Sequence, residues 1–267
     1  MRHLPNILTC INLLCGCMAI ITLTDDPFIN VGLPYQAYLF FFIALLMDLL
    51  DGLVARSLNA YSDLGKQLDS LADMVSFGVF PGFLWLKLFS LSRWSLEGSV
   101  FIAEYLFPIL AFLFTVAVAL RLAKFNIDER QTTDFLGIPS PAAAIFTLGF
   151  FHWVTHYPKN IFYINPSSTI TRDLDFEKYF SEYHVVFQQP WLLLIVLLFI
   201  STMMLVEIPM FSLKVKKWQW QGNEIKIIFL LLSGILLLIW QLMALPLIIV
   251  LFILISVIRY YFKPKNG

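Results

Sequence analysis

The feature that most constrains this chain is a succession of apolar runs, each close to the width of a bilayer. Eight can be read: Met1 to Thr24, Gln36 to Arg56, Gln67 to Leu91, Val100 to Lys124, Pro139 to Tyr157, Pro190 to Phe211, Ile225 to Gln241 and Leu245 to Phe262. A helix needs about 20 predominantly apolar residues to cross the hydrocarbon core. The expected fold class is therefore all-α, a polytopic transmembrane helix bundle of about eight spans. Charged residues make up 13% of the chain, against about 25% in a soluble domain. The net charge is zero, which gives no basic excess for nucleic acid to meet.

The first run opens like a signal peptide, with Arg2 and His3 ahead of apolar residues, but no small-x-small site follows. It is expected to stay as the first span. Cys10, Cys15 and Cys17 all fall in it, offer no zinc spacing and are expected to be buried apolar thiols. Gly78, Pro81 and Gly82 are expected to bend the third span. His3, His152, His156 and His184 have no partner at ligand spacing. The long polar stretch from Pro158 to Gln189 is expected on the membrane surface, without chemistry.

Lysine and arginine set orientation, because cytoplasmic loops carry the excess. With the N-terminus inside, Lys87, Arg93, Lys159, Arg172 and Lys178 fall outside and the other 13 of the 18 fall on the cytoplasmic side. That side also receives the densest polar motif of the chain. Asp48 and Asp51 are i, i+3, and Asp69 and Asp73 are i, i+4, so each pair shares one helix face. Gly52, Ala55, Arg56 and Gly65 lie between them, giving D-x2-D-G-x2-A-R-x8-G-x3-D-x3-D.

Ionisable residues at membrane depth are expensive and face a cavity or a partner. Four carboxylates repel one another, and one arginine cannot neutralise them. A hard divalent cation can, since Mg²⁺ takes oxygen ligands from carboxylates and substrate phosphates. Two carboxylate pairs on adjacent helices thus point to one or two ions shared with a phosphate ester. Gly52 and Gly65 allow close backbone approach to a bulky ligand, and Arg56 suits phosphate oxygens. A purely structural carboxylate network would require neither the glycines nor the arginine.

The motif resembles the signature of the CDP-alcohol phosphatidyltransferases, integral membrane enzymes of phospholipid synthesis. The resemblance covers the first five or six spans. It implies a transmembrane core over 1–211 with the catalytic motif at 48–73, and leaves 212–267 as an additional helix pair. It further implies transfer of a phosphatidyl group from CDP-diacylglycerol to an alcohol, with release of CMP. One or two Mg²⁺ or Mn²⁺ ions would be held by Asp48, Asp51, Asp69 and Asp73, and Asp73 would also act as general base. Gly52, Ala55, Arg56 and Gly65 would bind the nucleotide, with Asp63 as a further contact. Family members are typically homodimers.

Three further segments are similar to the phosphatidylserine synthases of that family: LPNILTCINLLCG at 4–16, Ser76-Phe77-Gly78 followed by Pro81, and LRLAKFN at 120–126 followed by GIPSPAA at 137–143. They imply L-serine as acceptor, with Arg121, Lys124, Asn126 and Ser76 as acceptor-binding candidates. Lys124 equally suits a snorkelling anchor. Thr9 and Asn12 either touch the nucleotide or bond to a neighbouring helix. Glycerol 3-phosphate or an inositol phosphate as acceptor would call for a denser basic cluster. A divalent-cation transporter would leave the Gly-x-x-Ala-Arg segment unexplained.

Overall fold

A computed structural model describes residues 3–24, 35–92, 106–127, 135–156, 189–210 and 223–262. The readings made for Arg2, for 25–34 and 128–134, for the polar stretch 158–188 and for the basic turn at 214–218 lie outside the described residues.

Helix α1 (Leu4–Thr24) packs beside α2 (Tyr35–Ser57). The end of α2 is written in its sequence. Asn59 takes the left-handed conformation (φ 48°), and the Ala60 N–H donates to the Ala55 carbonyl at 3.0 Å. This is a C-terminal cap with asparagine where glycine is commonest. Ser62 then caps α3 (Asp63–Asp73), its Oγ accepting from the Gly65 N–H at 3.0 Å. The cap starts this helix four residues ahead of the expected Gln67.

α3 continues through a π-helical segment (Met74–Val79) into α4 (Phe80–Ser90) without a break. Where Gly78, Pro81 and Gly82 were expected to bend the span, the structure has this change of register. The Phe80 N–H bonds to the Val75 carbonyl, five residues back, and the widened turn accommodates Pro81, which has no N–H to give. Thr115 of the next helix, α5 (Phe107–Ile127), donates its hydroxyl to the Gly78 carbonyl at 2.9 Å. Around this segment lies the core. Phe41 of α2 stacks on Phe80 at 5.5 Å and meets Phe77 edge-on at 6.1 Å. Phe77, Phe80, Trp85, Phe89 and Phe114 are all buried. Each aromatic pair adds about 0.5–1.5 kcal/mol beyond its buried area.

Strand β1 (Phe135–Leu136) pairs antiparallel with β2 (Pro209–Met210), a small ribbon the apolar pattern did not anticipate. It joins the start of α6 (Ser140–His156) to the end of α7 (Pro190–Leu205). Gly137 has φ +68°, and a Cβ there would stand 2.6 Å from the Met204 carbonyl oxygen. Only glycine fits. The Ile138 N–H donates to the Met203 carbonyl at 3.0 Å, satisfying a carbonyl that the helix end would otherwise orphan. α7 accordingly stops at Leu205, short of the expected Phe211.

α8 (Glu224–Trp240) and α9 (Ala244–Phe262) complete eight helical rods among the described residues, counting α3 to α4 as one. Residues 224–261 form a single apolar stretch 38 residues long, but they are not one rod. Phe229 and Phe252 have ring centroids 6.0 Å apart, whereas a straight helix would separate them by about 35 Å. The chain folds back at Gln241 (φ 49°), and the hairpin meets the rest chiefly through α6 and β2. Among the described residues five stretches, the hairpin counted as one, are long and apolar enough to cross a membrane, and the chain is an integral membrane protein. Cys10 and Cys17 are not buried as expected; they lie on the exposed side of α1, where apolar surface meets lipid.

Candidate active site

All four motif aspartates converge where the end of α2 meets α3. Asp48, Asp51 and Asp69 each offer a carboxylate oxygen within 4.8 Å of the others. Asp73, one turn beyond Asp69, faces the Asp48 carboxylate at hydrogen-bonding range. Asp51 is buried, and the other three are partly so. Asp69 Oδ1 and Asp73 Oδ1 are buried without a hydrogen-bond partner. Unsatisfied carboxylate oxygens cost about 1–3 kcal/mol or more each, so the arrangement is incomplete by itself. The donor set, all hard oxygens, fits a divalent cation.

The nucleotide-side candidates divide by what they touch. Arg56 is exposed and folds back over Gly52: a Cβ there would lie 3.6 Å from Arg56 Nη1, an ordinary contact. The protein's own packing therefore does not demand glycine at 52, and the group over its face is the Arg56 guanidinium itself. Gly65 differs. A Cβ there would stand 3.0 Å from both Asn6 Oδ1 and Ser62 Oγ, so its small size serves the contact of α1 with α3 and the helix cap. Ala55 contributes its carbonyl to the end of α2. Asp63 lies exposed in the first turn of α3, outside the carboxylate cluster, where its charge complements the helix N-terminus.

The acceptor candidates separate as well. Arg121 is buried, donates from Nη1 to Ser140 Oγ at 3.5 Å, and leaves Nε without a partner. Asp73 is the carboxylate that acts on its charge. Lys124 is exposed. Asn126 bridges helices: its Nδ2 donates to Ser70 Oγ at 2.9 Å, and Lys66 Nζ donates to its backbone carbonyl at 3.1 Å. Ser76 is buried, and its hydroxyl donates to Asn12 Oδ1 at 2.7 Å.

Helix α1 is the part of the site that sequence reasoning left open. Thr9 and Asn12 both bond to neighbouring helices, Thr9 Oγ1 donating to Asp51 Oδ2 at 2.6 Å. Gly16 lies against Ser76, one turn deeper. Asn6 was missed altogether. The signal was available as spacing: Asn6, Thr9, Asn12 and Gly16 recur every three or four residues on an otherwise apolar helix, so they form one polar stripe.

Residues 2–171 match the sequence model of CDP-alcohol phosphatidyltransferase, more than half of the chain. A Bacillus subtilis (strain 168) protein named CDP-diacylglycerol–serine O-phosphatidyltransferase is 35% identical over 145 residues, covering 54% of this chain and 73% of the relative. Proteins of the same name from Methanocaldococcus jannaschii and Mycobacterium bovis are each 34% identical; the matches cover 52% and 56% of this chain, and 62% and 49% of theirs. The convergent aspartates, the small residues among them and the match over 2–171 agree: this chain belongs to the CDP-alcohol phosphatidyltransferase family.

Proposed function

We propose that this protein transfers the phosphatidyl group of CDP-diacylglycerol to the hydroxyl of L-serine, giving phosphatidylserine and CMP. The observation that carries the reading is the convergence of the Asp48, Asp51 and Asp69 carboxylates, with Asp73 one turn beyond and the buried Arg121 within electrostatic reach of it. One site thus offers a base, a cation for the acceptor and a seat for a metal ion. The names of the relatives supply the serine acceptor.

Mg²⁺ or Mn²⁺, as one or two ions held by Asp48, Asp51, Asp69 and Asp73, would supply positive charge to the phosphate oxygens and to the developing leaving group. The chain's own residues do the rest. Arg56, folded over the face of Gly52, binds the nucleotide phosphates, with Ala55, Gly65 and Asp63 shaping the turn around it. Arg121 presents Nε and a second nitrogen to the serine carboxylate as a bidentate partner. Asp73 accepts the hydroxyl proton at its unpartnered Oδ1. The serine oxygen bonds to the lipid-side phosphorus as the bond from that phosphorus to the CMP oxygen breaks. The acyl chains stay in the bilayer. Of the other acceptor candidates, Ser76 and Asn126 hold helices together, and Lys124 reaches toward headgroups.

A dianionic acceptor such as glycerol 3-phosphate or an inositol phosphate fits less well, because Arg121 is the one buried lysine or arginine among the described residues. The excess of lysine and arginine at the site's end of the helices supports a site open to the cytoplasm, in the inner membrane if the cell is bacterial. The family match, which ends at residue 171, supports a core over 1–211 with 212–267 as an addition. A homodimer rests on family resemblance. The purified protein in detergent, given CDP-diacylglycerol and Mn²⁺, is expected to release CMP with serine and not with glycerol 3-phosphate, and to stop on chelation. Equal release with both acceptors would overturn the serine assignment, and full activity after exhaustive chelation would remove the metal.

A further inference from the structure

Thr9 is buried in α1, 42 residues from Asp51 in sequence, yet its Oγ1 stands 2.6 Å from Asp51 Oδ2. A second acceptor competes for the same hydroxyl: the Pro5 carbonyl at 3.0 Å, one turn back on its own helix. A hydroxyl has one proton, and threonine inside a helix ordinarily gives it to that i−4 carbonyl. Here the shorter contact is to the carboxylate, at the length of an O–H···O⁻ bond. The proton goes to Asp51.

A carboxylate bound at one oxygen cannot turn freely about its last torsion. Asp51 is also the most buried of the three aspartates whose oxygens converge, and it comes from the same helix as Asp48 while Asp69 comes from the next. Its orientation decides whether three oxygens or two face one point. We propose that Thr9 is a positioning residue for a divalent cation: its hydroxyl holds Asp51 in the orientation that completes the cluster with Asp48 and Asp69. The inference rests on the metal reading of that cluster and adds a residue from α1 to it. Carboxylate ligands are themselves oriented by hydrogen bonds, and losing such a partner typically weakens metal affinity about 10–100-fold.

A bond between α1 and α2 would also serve packing alone, so the test must read the metal rather than the catalysis. Thr9→Ser and Thr9→Ala differ by one oxygen atom. Both are to be purified in detergent and titrated with Mn²⁺, free ion being followed by its electron paramagnetic resonance signal, with Asp48→Asn as the control for a damaged cluster. The unsubstituted protein and Thr9→Ser are expected to bind alike, and Thr9→Ala to bind roughly 10–100-fold more weakly while keeping a folded melting transition. Thr9→Val, which keeps the shape and lacks the hydroxyl, should follow Thr9→Ala. Equal Mn²⁺ affinity for Thr9→Ser and Thr9→Ala would overturn the positioning role and leave the metal reading standing. Failure of the unsubstituted protein to bind Mn²⁺ more tightly than Asp48→Asn would overturn both.

Discussion

Asp73 and Asp48 face each other across one carboxylate contact, yet their surroundings assign them different losses on substitution. Asp48 belongs to the trio within 4.8 Å; Asp73 sits at its edge, toward Arg121, with Oδ1 buried and unpartnered. Asparagine keeps a neutral oxygen donor but cannot accept the hydroxyl proton. In the proposed reaction Asp73→Asn should bind CDP-diacylglycerol nearly normally and lose at least about 10²-fold in kcat, with no recovery as Mn²⁺ is raised. Asp48→Asn should lose activity and partly regain it at high Mn²⁺. The reverse pattern in a metal titration of CMP release would exchange the two roles. Arg121→Lys removes a bidentate partner and should raise the KM for serine by roughly ten- to a hundredfold, about 1.5–3 kcal/mol, while that for CDP-diacylglycerol moves little. Equal shifts in both would assign Arg121 to the shared phosphate. The aspartates were legible because charge at membrane depth has few explanations. Ser76 and Asn126 were harder: a polar side chain in an apolar helix reads the same whether it meets a ligand or another helix, and only the partners Asn12 and Ser70 separate the cases.

At the scale of elements, the helices were legible and their joints were not. Apolar runs near 20 residues give rods, but which backbone groups close a rod depends on tertiary neighbours. The π-helical turn after Asp73 needs Thr115 from another helix on the Gly78 carbonyl, and nothing local announces it. The ribbon of β1 and β2 is two residues on each side, too short to alternate. Gly137 is the exception, a glycine between a polar loop and two prolines. Its φ of +68° costs a side chain roughly 1–2 kcal/mol, and a Cβ would meet three carbonyl oxygens of residues 203, 204 and 206 at 2.6–3.1 Å. Gly137→Ala should therefore lower the melting temperature in detergent clearly. Gly234, inside α8 with nothing within 4 Å of its missing Cβ, makes the contrast. Gly234→Ala should leave the melting temperature unchanged or raise it, since alanine is favoured by roughly 0.5–1 kcal/mol in a helix interior. If Gly137→Ala lowers the melting temperature no more than Gly234→Ala does, because neither destabilises, the close docking of 137 on the end of α7 is wrong.

For the whole molecule, the decisive question is on which side of the membrane each end of the C-terminal hairpin emerges. Tyr61 lies in the turn between α2 and α3, 71% exposed, and so marks the side on which the aspartate cluster opens. Tyr261, 72% exposed near the end of α9, marks the far end of the hairpin. α9 packs against β2, and β2 pairs with β1 immediately before Gly137 and Ser140, the residue that bonds to Arg121. That chain of contacts ties α9 to the end of the bundle that holds the site, while its first residues, Leu245 and Pro246, lie against Gly149 in the middle of α6. Were residues 224–261 a single crossing, Tyr261 would instead emerge opposite Glu224, and Phe229 could not touch Phe252. With Cys10, Cys15 and Cys17 replaced by alanine, Tyr61→Cys and Tyr261→Cys are each expected to react with a membrane-impermeant maleimide from the same side. That side should be the cytoplasmic one, so labelling appears in inverted vesicles and not in intact cells, because the lysine and arginine excess lies there. Labelling of the two positions from opposite sides would break the hairpin. Labelling of both from outside would keep the hairpin and invert the proposed orientation of the site.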